Sequence, residues 1–176
     1  MQIKTKVLFL IPSLVGGGAE RTLINILKNI DYLLFDVHLV IVDNNGIYCR
    51  EVPKQVKVLP LFSNTKLVRL LSYIQKKMSF NNFVVNRFLN QIDSSYDTAI
   101  SFLDSNFTDL LFKIPNVNKT ITWVHSSYKT NNNFYNFYKN ESYKKQLIAN
   151  RYSKLDTIVF VSQDAKTEFE EIFGSF

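Results

Sequence analysis

Val7-Leu8-Phe9-Leu10-Ile11-Pro12-Ser13-Leu14-Val15-Gly16-Gly17-Gly18-Ala19-Glu20-Arg21 is the stretch that decides the fold. Its first five residues are apolar without a break, as in strands buried on both faces of a parallel sheet. Pro12 to Gly18 reads as a loop. From there the spacing of Leu23, Ile26, Leu27 and Ile30 predicts a helix over 19–30.

The same alternation continues along the chain. Strands are predicted over 35–42, ending at the turn Asp43-Asn44-Asn45-Gly46, and over 56–61, 98–103, 119–124 and 157–161. Helices are predicted over 65–78, 83–92, 105–113 (capped by Asp104 or Ser105), 134–152 and 163–173 (capped by Ser162). Strands alternating with helices predict a doubly wound, mostly parallel Rossmann-like α/β sheet of about six or seven strands, with helices on both faces. No repeat or linker divides the 176 residues, so 1–176 reads as one domain.

Composition narrows the classes further. The chain is 46% hydrophobic and 20% charged, which supports a packed core and excludes disorder. A single cysteine, Cys49, excludes a disulfide scaffold and, with so much Lys and Asn, points to a reduced, cytosolic compartment. The six apolar residues Val7 to Pro12 are shorter than the roughly 7–15 of a signal core or the about 20 of a membrane span. Between Glu51 and Asp93 there are seven basic residues and no acidic one, more than the net charge of +6. One face is therefore expected to be positive. In that block Lys66, Arg69 and Lys76 share one side of the predicted helix over 65–78, and Lys77 extends it. This is a candidate patch for an anionic membrane surface or a polyanion, with peripheral attachment to the inner face of the plasma membrane. The alternative is a solvated helix face. The block lacks the interleaved aromatics of an RNA platform, so nucleic acid is not expected as a partner.

In an open parallel sheet, ligands bind beyond the carboxyl ends of the strands. Those ends carry Gly16 to Glu20, Asp43 and Asn44, Asp104 to Asn106, His125 to Ser127, and Ser162. Gly16, Gly17 and Gly18 precede a helix, where free N–H groups attract anions. They are equally read as a tight turn. The loop is neither G-x-x-x-x-G-K-[ST] nor G-x-G-x-x-G, so a dinucleotide site is weakly supported. His125, flanked by Ser126 and Ser127, stands where a site needs a donor or base, or is held by a loop. His38 lies mid-strand and reads as a packed or edge histidine. Asp104 and Asn106 are most simply helix caps, Asp43 and Asn44 turn formers, and Glu168, Glu170 and Glu171 a solvated helix face. No H-x-x-x-H, C-x-x-C or carboxylate cluster suggests a metal.

Val7 to Leu14 followed by Gly16-Gly17-Gly18-Ala19-Glu20-Arg21 resembles the opening of family 4 retaining glycosyltransferases, which have the GT-B fold. Tyr96-Asp97-Thr98-Ala99-Ile100-Ser101-Phe102, Thr122-Trp123-Val124-His125-Ser126 and Ile158-Val159-Phe160-Val161-Ser162 resemble later strands of their N-terminal domain, in the same order. The resemblance spans essentially the whole chain. It implies an acceptor-binding N-terminal domain, and a nucleotide-sugar donor bound chiefly by a C-terminal domain with an E-x7-E motif. It also implies metal-independent chemistry with no cofactor. Gly17 and Gly18 would contact the donor diphosphate or sugar, His125 would act at the reacting centre, and Glu20 and Arg21 would support them. The product would be a glycan, lipid-linked or polymer acceptor carrying a new hexose. The donor domain is missing here, which suggests the N-terminal piece of a longer enzyme or a split subunit, inactive alone. The competing reading is a non-catalytic α/β binding module or regulatory subunit.

Overall fold

A computed structural model describes residues 3–62, 82–129 and 138–176. Six strands are present among them: β1 (Thr5–Leu10), β2 (Phe35–Asp43), β3 (Lys57–Phe62), β4 (Ser95–Ser101), β5 (Asn116–Val124) and β6 (Thr157–Phe160). All neighbouring pairs are parallel, in the order β3-β2-β1-β4-β5-β6. This is the doubly wound Rossmann-like arrangement, and every described strand pair is parallel rather than most of them. The α-helices are α1 (Gly18–Asn29), α2 (Asn82–Leu89), α3 (Glu141–Asn150) and α4 (Gln163–Phe173). Short 3-10 helices run over Ile47–Glu51, Asn106–Lys113 and Tyr152–Lys154.

The apolar run of β1 divides by its period of two. Val7, Phe9 and Ile11 pack on the α1 side with Leu23, Ile24 and Leu27. Leu8 and Leu10 pack on the opposite side with Val84 and Phe88 of α2 and with Phe107, Leu110 and Leu111 of the 3-10 helix. Each such side chain taken from water contributes about 1.5–3 kcal/mol. A third, aromatic cluster of Tyr128, Tyr138, Tyr152, Phe169 and Phe173 joins α3 and α4 to the β5–β6 end of the sheet.

Several boundaries differ from expectation. β4 starts at Ser95 and β5 at Asn116, earlier than the apolar pattern shows, because their first residues are largely exposed. Of the expected helix over 134–152, residues 134–137 lie outside the described residues, a turn at Lys139 separates Tyr138 from α3, and α3 covers Glu141–Asn150. Asn140 caps α3 by accepting from the Tyr143 N–H (3.1 Å), and the helix closes at Asn150. The segment Asn106–Lys113 is 3-10 rather than α, and its N-cap is Ser105, whose hydroxyl accepts from the Phe107 N–H (3.1 Å); Asp104 is not the cap. Ile47–Glu51 was not expected as a helical turn. The helix expected over 65–78, with Lys66, Arg69, Lys76 and Lys77, lies outside the described residues.

Two aspartates fix the sheet at the amino ends of its strands. Asp97 accepts from the Lys6 N–H (2.7 Å), and Asp156 accepts from the Thr120 N–H and hydroxyl (2.7 and 2.8 Å). These bonds hold the Asp156 carboxyl below its ordinary range. Among the described residues, no helix is long and apolar enough to cross a membrane.

Candidate functional site

The sheet order places β1 beside β4, and their onward connections leave to opposite faces. A crevice opens where such connections diverge. The loop after β1 rises between its neighbours: Ile11 N–H donates to Val40 O (3.1 Å), Val42 N–H to Pro12 O (3.1 Å) and Phe102 N–H to Leu10 O (2.8 Å). Gly16 has φ +133°, a conformation that side chains disfavour, and a Cβ there would also press on Ile47. Gly17 is the N-cap of α1 and offers no side-chain cap. Glu20, in the first turn, has its carboxylate so close that a Cβ at Gly17 would overlap it. The chain's own anion thus sits at the positive end of the helix dipole.

Across the crevice, β5 delivers His125. Its ring stacks on Trp123 (centroids 5.5 Å apart, planes 19° apart) and tilts against Phe102 (4.9 Å, 45°). Burial lowers its pKa from the ordinary histidine value, against the pull of a hydrogen bond to the Phe102 backbone and of the Glu20 charge. Nε2 is buried and has no hydrogen-bond partner among the described residues. The neutral ring thus keeps one nitrogen, Nε2, that the described residues leave without a partner. His125 and Ser126 line a cleft of about 270 Å³ with Leu103, Asp104, Tyr128 and Tyr138.

Asp104 forms the back of that cleft. It accepts from the hydroxyls of Tyr128 (2.7 Å) and Tyr152 (2.8 Å), and Arg151 reaches it at 3.5 Å. The Arg151 guanidinium is itself buried. It donates from Nε to Asp109 Oδ1 (2.7 Å) and from Nη2 to Asp109 Oδ2 (3.1 Å) and Asn106 Oδ1 (3.3 Å). Burial opposes its charge, and the Asp109 bonds and Asp104 charge overcome that, raising its pKa. Burial likewise raises Tyr128 and Tyr152 well above the usual tyrosine value.

The structure thus sets Glu20, which lies against Gly17, near enough for its charge to act on His125, and brings Asp104, His125 and Ser126 into one cleft. Other candidates have structural partners elsewhere. Arg21 donates to Glu51 (2.9 Å) and lies over the Tyr48 ring (4.1 Å), tying α1 to Ile47–Glu51. Asn106 accepts from Arg151, and Ser162 is the N-cap of α4, accepting from the Ala165 N–H (3.1 Å). Gly18 has open space around its missing side chain. His38 is packed, not an edge residue: it bonds the Tyr96 hydroxyl (2.8 Å) in the sheet interior.

Glu168 is more than part of a solvated face. It accepts from the Ser127 hydroxyl and the Lys129 N–H, and Lys129 pairs with Glu171, so α4 grips the loop that follows His125. Sequence reading also missed Tyr128 and Arg151. No periodicity marks them; only the third dimension sets them around Asp104.

These features define a doubly wound α/β domain with a histidine-bearing cleft at the carboxyl ends of its strands. Compared with known proteins, the chain matches no family model and no curated protein.

Proposed function

We propose that the chain is the acceptor-side half of a nucleotide-sugar-dependent, retaining glycosyltransferase of the GT-B kind, which transfers a hexose to a glycan, lipid-linked or polymer acceptor. The observation that carries the reading is Nε2 of His125, without a hydrogen-bond partner among the described residues, on a ring held by Trp123 and Phe102 and within reach of the Glu20 charge. A neutral imidazole with one nitrogen left over by the fold is suited to hydrogen-bond a sugar hydroxyl. The Gly16–Gly18 loop lets the protein backbone approach a ligand closely. In the transfer, the bond from anomeric carbon to diphosphate oxygen breaks and its electron pair leaves with the diphosphate. The acceptor oxygen bonds to that carbon and its proton passes to the departing diphosphate oxygen. Helix N–H groups beside the leaving diphosphate would stabilise the charge that develops there. Glu20 holds that position in the free protein, and a bound diphosphate would push its carboxylate aside, because two anions repel at that distance.

Ligand-detected NMR with UDP-, GDP- and dTDP-hexoses tests the reading. Binding in the millimolar range is expected, since the larger donor surface belongs to the C-terminal domain that the proposal calls for. His125→Ala should weaken it by about tenfold, the worth of one hydrogen bond with a desolvated partner. Absence of saturation transfer to every nucleotide sugar, or the same transfer in the variant, would overturn the assignment.

A further inference from the structure

A second recess lies at the carboxyl end of β2, on the other side of the glycine loop from His125. It is an open groove of about 550 Å³ lined by Asn44, Asn45, Gly46, Ile47, Cys49 and Arg50. That volume is within the roughly 300–1,000 Å³ of small-molecule sites.

The groove is built rather than incidental. Gly46 presses directly on the backbone of Leu14, so closely that a Cβ would overlap the Leu14 carbonyl. Tyr48 N–H donates to that same carbonyl (3.0 Å), and Cys49 N–H to Gly46 O (3.1 Å). The floor is thereby joined to the β1 loop through backbone bonds. Ile47 leans on Gly16 and yet is 67% exposed, so it offers an aliphatic surface at the lip.

Charge gives the groove its preference. Arg21 and Lys28 both pair with Glu51 (2.9 and 2.7 Å), which satisfies the only carboxylate of the 3-10 segment. Arg50 has no ion pair or hydrogen bond among the described residues and is exposed, and Asn44 beside it is exposed as well. Among the described residues, no acidic side chain lines the groove. A guanidinium supplies forked donors for a carboxylate or phosphate, a primary amide pairs with adjacent hydroxyls, and an aliphatic face receives the C–H side of a pyranose.

We infer that this groove binds an anionic sugar, a saccharide unit bearing a carboxylate or phosphate, with Arg50 on the anionic group, Asn44 on ring hydroxyls and Ile47 under the ring. Calling that saccharide the acceptor rests on the glycosyltransferase reading; the binding itself does not. The groove and the His125 cleft flank the glycine loop from opposite sides, so a saccharide in the groove can extend a hydroxyl toward the loop without entering the cleft.

The test is titration of the isotopically labelled 176-residue chain with trigalacturonate, glucose 6-phosphate and neutral maltotriose. Backbone shifts at Asn44, Gly46 and Arg50 are the readout. One or both anionic ligands should bind at millimolar concentration, and which one does distinguishes a carboxylate from a phosphate. Maltotriose should bind about tenfold more weakly, and Arg50→Glu should cost the anionic ligand about tenfold or more. Arg50→Lys should restore part of that loss. Arg50 touches nothing that holds the fold, so the variants should melt with the parent chain. His125→Ala should leave groove binding unchanged, which separates this proposal from the assignment of His125. Equal binding of maltotriose, full affinity in Arg50→Glu, or no shifts with any of the three ligands would overturn it.

Discussion

Replacing Arg151 by Met should destabilise the chain by about 3 kcal/mol, a value set by where its partners lie. The Arg151 side chain is 5% exposed and that of Asp104 is 6% exposed, whereas that of Asp109 is 45% exposed. Methionine fills much of the same volume but removes the charge. Asp109 can then turn to water at little cost. Asp104 cannot: it retains the Tyr128 and Tyr152 hydroxyls but loses the cation that offsets its buried charge. Removing one partner of a buried pair costs about 3–5 kcal/mol, and the partial exposure of the Asp109 arm places the loss at the lower end. For a chain of this size each kcal/mol shifts the melting temperature by about 2–4 °C, so a fall of about 6–12 °C is expected. Urea unfolding followed by circular dichroism gives the free energy. The double variant Asp104→Asn with Arg151→Met should recover part of the loss, because no buried charge is then left unpaired. Arg50→Met is the exposed control and should change stability by no more than about 0.5 kcal/mol. A loss below about 1 kcal/mol in Arg151→Met would show that the network is hydrated and that the account of it is wrong.

Gly46→Ala should destabilise the fold by about 2 kcal/mol or more through its overlap with Leu14, whereas Gly18→Ala, in open space on the first turn of α1, should be neutral or gain up to about 1 kcal/mol; paired thermal melts compare them. Burial lowers the pKa of both His38 and His125, so below about pH 6.5 the unfolded chain binds protons that the folded chain refuses. Stability should therefore fall with pH from about 6.5 down to the folded values, and Phe at both positions should flatten that limb in urea titrations at successive pH. On the alkaline side burial raises Tyr96 to about 12, so stability should decline as pH rises from about 10, where the unfolded tyrosine ionises first. Glu20→Gln should tighten binding of a nucleotide sugar by several-fold, on the scale of about 0.3–1 kcal/mol for a charge at a helix end, and a weaker affinity in that variant would refute the displacement of Glu20.

The readable part of the fold was the part that is buried on both sides. β1, β2 and the second halves of β4 and β5 carry continuous or near-continuous apolar residues because helices or loops cover both faces. The first residues of β4 and β5 do not, since Ser95, Asp97, Asn116, Asn118 and Lys119 are exposed, and there the pattern stops before the hydrogen bonding does. The short 3-10 segments escape periodicity for another reason. Five residues at Ile47–Glu51 are too few to show a period, and Asn106–Lys113 has an apolar spacing that suits an α-helix equally well.

The site divides along a similar line. A strand-end rule finds residues that the chain itself carries to the edge, which is why His125, Ser126 and Asp104 could be named. It is blind to what comes to meet them. Arg151 is 47 residues from Asp104, and Glu168 is 41 residues from Ser127. Neither lies at a strand end, and only the packing of α3 and α4 against β5 and β6 brings them there. Position at the edge also does not decide a residue's task. Asp104 and His125 line the same cleft, yet the Asp104 carboxylate is engaged by two hydroxyls and a guanidinium while His125 keeps a nitrogen unused. A side chain whose bonding capacity is spent on its own fold holds the wall; one with capacity left over has something to offer a ligand. By that criterion His125 in the cleft and Arg50 in the groove are the residues to change first.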